Sequence, residues 1–261
     1  MNPQEDNINQ ELRKVETWLK CNKLALNVKK TQAIIYQKPN ENSSKIQVQL
    51  AGKQLKFSNN INFLGIIFDE KLCFSDHVKK VRAKLSRSLG MLNRAKNFIP
   101  LKSRKLLYNA LIQPHLSYGI ELWGGSGKNI LDVVQKLQNK AIRFVENTSY
   151  RAHTLPLFNK HKILKVNDLY TFQLQILMFK AFHQTLPSKI LQKYSRIQTG
   201  RLTRQVQWNL AVARKSSKLQ NSRPSICGPH IWNGIPADLR KLNSLATLKK
   251  KLREIFVDQY N

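Results

Sequence analysis

The sequence is poor in acidic residues and lacks any long apolar run. Only 15 Asp and Glu stand against 45 Lys and Arg, which gives 261 residues a formal net charge of +30. No apolar stretch approaches the ~18 residues that a membrane span needs, and residues 1–6 do not have the layout of a signal peptide. Three cysteines, odd in number and far apart, argue against a disulfide scaffold. We expect an intracellular protein, nuclear or cytoplasmic, that binds no membrane.

The sequence also lacks the motifs of common catalytic centres. No Asp-Asp pair occurs, and Asp69 and Glu70 lie on alternating sides of a strand or in a turn, so their spacing does not make a shared metal site. Hydrolase and P-loop signatures are absent as well. Cys73 and His77 have the spacing of two zinc ligands, but no second pair follows. We therefore predict no catalytic residue from the sequence pattern, no metal site and no cofactor.

The positive charge is spread over the whole chain. Between residues 147 and 237 the only acidic side chain is Asp168, against 14 Lys and Arg. Repulsion of this size favours a polyanionic partner, which points to RNA or DNA. Composition alone leaves a ribosomal-type protein or a binder of anionic membranes open.

Hydrophobic periodicity predicts an α+β fold. A helix from about Gln4 to Cys21 is followed by short strands within Thr31 to Tyr36, Lys45 to Leu50 and Ile61 to Phe68, which we expect to form a small antiparallel sheet against that helix. Ser75 caps a helix of about 23 residues. The remainder is mainly an α-helical bundle. Its predicted helices are Ser103 to Ile112, His115 to Trp123, Asn129 to Glu146, Val166 to His183 and Ser244 to Tyr260.

Two short motifs precede the Ser75 helix. After Trp18 and Leu19 comes the run Leu24 to Thr31, in which Lys29 and Lys30 occupy a turn where they can reach an anion, although lysines in a turn are usually surface charge. About thirty residues later, Phe63 Leu64 Gly65 predicts a turn between strands. Gly65 allows close approach of a nucleic-acid strand there, or simply a bulge in an ordinary sheet.

The Ser75 helix carries a basic stripe. Lys80, Lys84, Arg87 and Arg94 fall on one face, while the apolar residues fall on another. At ~1.5 Å per residue the stripe is about 20 Å long, enough to follow several phosphates. A solvated basic face is the alternative interpretation.

These motifs are followed near the end by Gly228 to Pro236. Their order resembles the order of motifs in the reverse transcriptases of non-LTR retrotransposons of the jockey and CR1 type, in the part after the palm active site. The resemblance covers nearly the whole chain. It implies a distal palm remnant with a primer-grip-like turn in residues 1–74, a helical thumb-like bundle in 75–193, a basic linker in 194–223, and a C-terminal docking turn and helix in 224–261.

The resemblance also implies functional roles. Lys30 would lie near the phosphates of the incoming nucleotide, Phe63 to Gly65 would hold the primer end, and the basic helix would contact the primer–template duplex of RNA and DNA. The Asp pair of the family, which holds Mg²⁺ in the complete enzyme, would lie upstream of Gln10. We therefore expect a nucleic-acid-binding fragment of an RNA-directed DNA polymerase that is inactive alone. The alternative is a domesticated basic RNA- or DNA-binding protein or scaffold without enzymatic activity.

Overall fold

The computed structural model describes residues 3–27, 30–36, 47–195, 208–212 and 223–260. The chain divides into two compact units, residues 1–76 and 77–261. The division into four segments made from the sequence stays a prediction, and most of its basic linker, 194–223, lies outside the described residues. No helix in the described part is both long enough and apolar enough to cross a membrane.

Unit 1 contains one long helix and two small antiparallel sheets of two strands each. Helix α1 spans Pro3–Cys21, and the strands are β1 (Gln49–Leu50), β2 (Lys53–Gln54), β3 (Asn60–Phe63) and β4 (Ile66–Asp69). Strand β1 pairs with β2, and β3 pairs with β4. The apolar core of the unit comprises Val48, Leu50 and Leu55, against which Leu12, Leu26 and Ala33 pack.

Polar side chains of α1 fix its position on the first sheet. The amide of Asn9 donates to the carbonyl of Gln47 at 3.4 Å and accepts from the backbone N–H of Gln49 at 3.0 Å. About two helical turns further on, the Glu16 carboxylate accepts from the N–H of Ala51. These bonds satisfy backbone groups at the edge of the first sheet.

The α+β fold is confirmed, but the single sheet predicted from the sequence is wrong in detail. The predicted strand Thr31 to Tyr36 contributes only an isolated parallel bridge between Ala33 and Phe57. Each pair of strands is joined by a tight turn and pairs locally, and in the described residues neither pair extends to a third strand.

Unit 2 is a helical bundle. Its first helix, α2, begins at Ser75 and ends at Arg94, and a short 3-10 turn at Lys96–Phe98 follows. The other helices are α3 (Leu101–Leu111), α4 (Gln113–Ser117), α5 (Ile120–Trp123), α6 (Lys128–Glu146), α7 (Leu155–His161), α8 (Val166–Phe182), α9 (Ser188–Leu191), α10 (Pro224–Asn233), α11 (Ala237–Arg240) and α12 (Leu245–Asp258).

Helix α8 is the centre of this bundle. It is apolar around most of its circumference, and α4, α5, α6, α10 and α12 all pack against it. A helix without a polar face is expected to be surrounded by protein. Beside it, the fully buried amide of Gln138 donates to the Tyr108 hydroxyl at 3.0 Å and to the Leu164 carbonyl at 2.8 Å, which ties α6 to α3 and to the residues before α8.

The bundle differs from the sequence prediction at two places. The predicted helix His115 to Trp123 is divided, because Gly119 has a φ of 61° and ends the α-helical geometry between α4 and α5. The docking turn predicted at Trp232 to Pro236 stays a prediction, but helix α10, which was not predicted from the sequence, precedes and overlaps it and contains Gly228 and Pro229. Both residues are helix breakers by propensity, and at α10 tertiary packing overrides that propensity.

Candidate nucleic-acid interface

The turn before residue 31 is organised by Asn27. The backbone N–H of Lys30 donates to the carbonyl of Asn27 at 3.0 Å and to its side-chain oxygen at 3.2 Å, and the Thr31 hydroxyl donates to the same carbonyl at 3.0 Å. The Lys30 side chain is exposed. Lys29 lies outside the described residues. The Asn of this motif is therefore a turn residue that orients Lys30, a role that sequence analysis did not assign.

Phe63, Leu64 and Gly65 form the tip of the β3–β4 hairpin. Phe63 and Ile66 close the ladder, and Leu64 and Gly65 alone make the turn, with φ of 49° and 84°. Two consecutive residues with positive φ are characteristic of the type I′ turn that suits a two-residue hairpin. Phe63 is 60% exposed and Leu64 is 73% exposed, so the tip presents apolar surface to solvent.

Asp69 organises the loop between the hairpin and α2. Its carboxylate accepts backbone N–H bonds from Lys71 at 3.1 Å, Cys73 at 3.0 Å and Phe74 at 2.6 Å. Two loop residues, Leu72 and Phe74, have positive φ, and these bonds hold the loop in that conformation. The contacts of Asp69 are those of a structural residue, a role that its place beside Glu70 in the sequence did not predict.

The carboxylates of the described residues do not fit a Mg²⁺ site. No group of three or more His, Cys, Asp or Glu side chains in those residues is placed to hold a metal ion. Asp69 is buried and directs both oxygens at backbone N–H groups.

Helix α2 presents two distinct faces. The buried residues are His77, Val78, Val81, Leu85, Ser88, Leu89 and Leu92. At about 100° per residue, Lys80, Lys84, Arg87 and Arg94 lie within an arc of about 80° whose centre is about 120° from the buried face. Lys84, Arg87 and Arg94 are exposed, and Lys80 is half-buried. Met91, 51% exposed, lies within the same arc. We call Lys80, Lys84, Arg87 and Arg94 the α2 stripe.

Two histidines near the α2 stripe are kept neutral. Burial, with Lys80 and Lys84 as further causes, lowers the pKa of His77 to about 4. Burial and the charge of Lys84 likewise lower the pKa of His115 in α4. Neither imidazole carries charge at neutral pH, so the positive potential of this face comes from its Lys and Arg side chains.

The predicted site residues are divided between the two units. Lys30 and the hairpin tip belong to unit 1, where Lys30 follows the Asn27 turn and the tip ends a separate hairpin. The α2 stripe belongs to unit 2 and is brought together on one helix face.

The C-terminal motif Gly228 to Pro236 has a packing role. The indole N–H of Trp232 donates to the carbonyl of Trp208 at 2.9 Å. The Asn233 amide both donates to and accepts from the backbone of Leu210, each at 2.9 Å. These two side chains hold residues 208–210 against α10.

Comparison with known proteins identifies a reverse-transcriptase-like region. The chain is 27% identical over 125 residues to the RNA-directed DNA polymerase from mobile element jockey of Drosophila melanogaster, covering 46% of this chain. It is 29% identical over 107 residues to the probable RNA-directed DNA polymerase from transposon BS of the same species, covering 40%. It is also 25% identical over 153 residues, half of this chain, to a Pol polyprotein from the type-1 retrotransposable element R1 of Nasonia vitripennis.

These similarities confirm the resemblance to jockey-like non-LTR elements that the motifs predicted, over 40–50% of the chain rather than nearly all of it. The match spans 14% of the jockey polymerase and 12% of the BS polymerase. No protein-family model matches the chain, and no solved structure matches it.

Proposed function

We propose that this chain is a nucleic-acid-binding fragment of a non-LTR RNA-directed DNA polymerase that holds a primer–template duplex through the α2 stripe. The observation that carries the proposal is the arrangement of four cations along one face of a helix, about 120° from the buried face. The overall charge of +30 supports a polyanionic partner.

The dimensions of the α2 stripe suit a nucleic-acid backbone. From Lys80 to Arg94 the helix rises about 21 Å, and one strand of a duplex places a phosphate about every 3.4 Å along the helix axis. Four cations over this length therefore match alternate phosphates rather than a single anion. The exposed Met91 between Arg87 and Arg94 supplies an apolar contact for the sugars between those phosphates.

The hairpin tip is the proposed contact for the primer end. Leu64 is an apolar residue in the left-handed region, which costs about 1–2 kcal/mol relative to the right-handed conformation. Such conformations are concentrated at binding sites. Phe63 and Leu64 offer apolar surface for a terminal base, and Gly65 allows the backbone to approach it closely. Lys30 is the proposed cation for nucleotide phosphates.

We propose further that this chain alone does not extend primers and binds no cofactor. The sequence has no adjacent Asp pair, and Mg²⁺ would be held only in the complete parent enzyme.

The test is a variant with all four stripe residues changed to Gln, written K80Q/K84Q/R87Q/R94Q. Gln is a good helix former and the buried face is untouched, so the fold should survive, which circular dichroism checks. The matched control, K128Q/K136Q/K140Q/K189Q, removes the same charge from exposed lysines of the same unit. Binding to a blunt RNA–DNA duplex is measured by fluorescence anisotropy between 50 and 200 mM salt.

Losing four duplex contacts should reduce the slope of log affinity against log salt by ~3.6. The wild-type protein should then lose about 150-fold more affinity than the stripe variant over this salt range. Equal slopes for the stripe variant and the control would contradict the proposal and favour the alternative of a basic scaffold with diffuse charge.

A further inference from the structure

A second basic surface lies between α8 and α12, and none of its lining residues belongs to α2. The two helices enclose a groove of about 610 Å³ whose apolar lining includes Phe172, Ile176 and Val257. This volume is in the range of ligand pockets, ~300–1,000 Å³. Its cationic lining residues are Lys162, Lys249, Lys250 and Arg253.

A neighbouring cavity extends this surface towards α3. It has a volume of about 420 Å³, shares Lys162 and Arg253 with the groove, and adds Lys105 and His161. Because both cavities share the same two cations, Lys162 and Arg253 form the wall between them. The result is a basic track that crosses the bundle from α3 to α12.

The groove carries more positive than negative charge. The ion pairs found in the described residues include none of Lys162, Lys249, Lys250 and Arg253. Glu254 and Asp258 are the acidic residues that line the groove. Four cations therefore face two carboxylates in the groove, and a bound polyanion would relieve the repulsion among them.

Arg253 is held in a binding-competent orientation. Its guanidinium carbon lies 5.7 Å from the centroid of the Phe172 ring, a cation–π arrangement. Packing on the ring restrains the planar fork, and the side chain remains exposed, so its N–H groups are available to a phosphate. The amide of Gln173 also lines the groove and can donate to and accept from base edges.

We propose that this groove binds a single-stranded segment of RNA or DNA, with phosphates on Lys162, Lys249, Lys250 and Arg253 and bases towards the apolar and amide lining. The proposal rests on the proposed nucleic-acid-binding function and adds a site for unpaired strand. An unpaired strand can turn its bases towards this lining, whereas a duplex keeps its base faces within the stack. A lining that combines apolar side chains with an amide suits nucleic-acid bases better than it suits an acidic peptide.

The experiment compares two probes by fluorescence anisotropy, a 12-nucleotide poly(U) RNA and the blunt duplex. The groove variant is K162Q/K249Q/K250Q/R253Q, and K128Q/K136Q/K140Q/K189Q is again the charge-matched control. A second variant, K162Q/K249Q/K250Q, keeps Arg253 on Phe172, so that a packing defect cannot account for the result.

For four lost single-strand contacts the salt slope with poly(U) should fall by ~2.8, which is about 50-fold in affinity between 50 and 200 mM salt. For the triple variant the salt slope with poly(U) should fall by ~2.1. Duplex binding by both variants should match that of the control. The proposal is overturned if poly(U) binding by the groove variant equals that of the control, if duplex binding falls equally, or if polyglutamate displaces poly(U) as well as unlabelled poly(U) does.

The two proposals fail separately in this design. If the stripe variant has a smaller salt slope with duplex while the groove variant binds poly(U) as the control does, only the groove proposal fails. If the groove variant has a smaller salt slope with poly(U) while the stripe variant and the control have equal slopes with duplex, only the α2 proposal fails.

Discussion

Changing Asp69 to Ala should open the loop before α2 without unfolding the bundle. The carboxylate accepts three backbone N–H bonds, from Lys71, Cys73 and Phe74. A hydrogen bond to a charged group contributes about 1.5–3 kcal/mol, and two of these donors are in exposed residues where water substitutes for the lost partner. We therefore expect the free energy of local opening to fall by roughly 2–4 kcal/mol rather than by the full sum.

Amide hydrogen exchange of the full chain, followed by NMR, measures this effect directly. A loss of about 2–4 kcal/mol should speed the exchange of the Lys71, Cys73 and Phe74 amides by about 30- to 1,000-fold. Asp69→Asn keeps one acceptor oxygen, so its effect should be intermediate. Amides of α8 serve as the internal control and should be unchanged. Unaltered exchange at all three loop amides in Asp69→Ala would refute the structural role assigned to this carboxylate.

Three further predictions follow from burial, close packing and the missing Asp pair. The folded-state pKa of His77, about 4, is below its ordinary value near 6.5. The unfolded state therefore binds more protons between these values, and stability should fall as pH falls through that window. His77→Phe should remove up to ~1.4 kcal/mol per pH unit of that dependence, measured by urea unfolding at pH 4.5, 5.5 and 6.5 with tryptophan fluorescence. Gly124→Ala should lower the thermal midpoint of unfolding more than Gly228→Ala does. A Cβ at Gly124 would lie 2.4 Å from the Tyr170 ring and 2.6 Å from a backbone carbonyl, whereas a Cβ at Gly228 would meet the flexible end of Met178 at 2.7 Å. The purified chain should incorporate no labelled nucleotide with any primer–template in Mg²⁺ or Mn²⁺, and incorporation that survives repurification would contradict this.

Strong periodicity made the helices predictable. Val78, Val81, Leu85, Leu89 and Leu92 recur every three or four residues, and the same helical spacing predicts that the α2 stripe lies on a different face from these apolar residues. Helix α8 was predicted almost to its ends, Val166–Phe182 against Val166 to His183. In these elements the local pattern and the tertiary packing agree.

The roles of single polar side chains were not predictable in this way. Asn27 and Asp69 act by accepting backbone N–H bonds from residues that follow them within a turn, and any surface Asn or Asp has the same chemical groups. The cations near the C-terminus, Lys249, Lys250 and Arg253, can be recognised in the sequence as possible phosphate contacts, but the groove was missed because Lys162 and Arg253 are 91 positions apart. Only the packing of the bundle brings these two side chains together.

Lysine footprinting of the wild-type chain is the most direct test of the central claim, that nucleic acid binds along the α2 stripe. The chain is acetylated with and without saturating primer–template duplex, and the modified lysines are quantified by mass spectrometry. The account predicts that duplex slows modification of Lys80 and Lys84 several-fold and leaves Lys136 and Lys140 on α6 unchanged. Equal protection of all four lysines, or none at Lys80 and Lys84 while the duplex is bound, would contradict it.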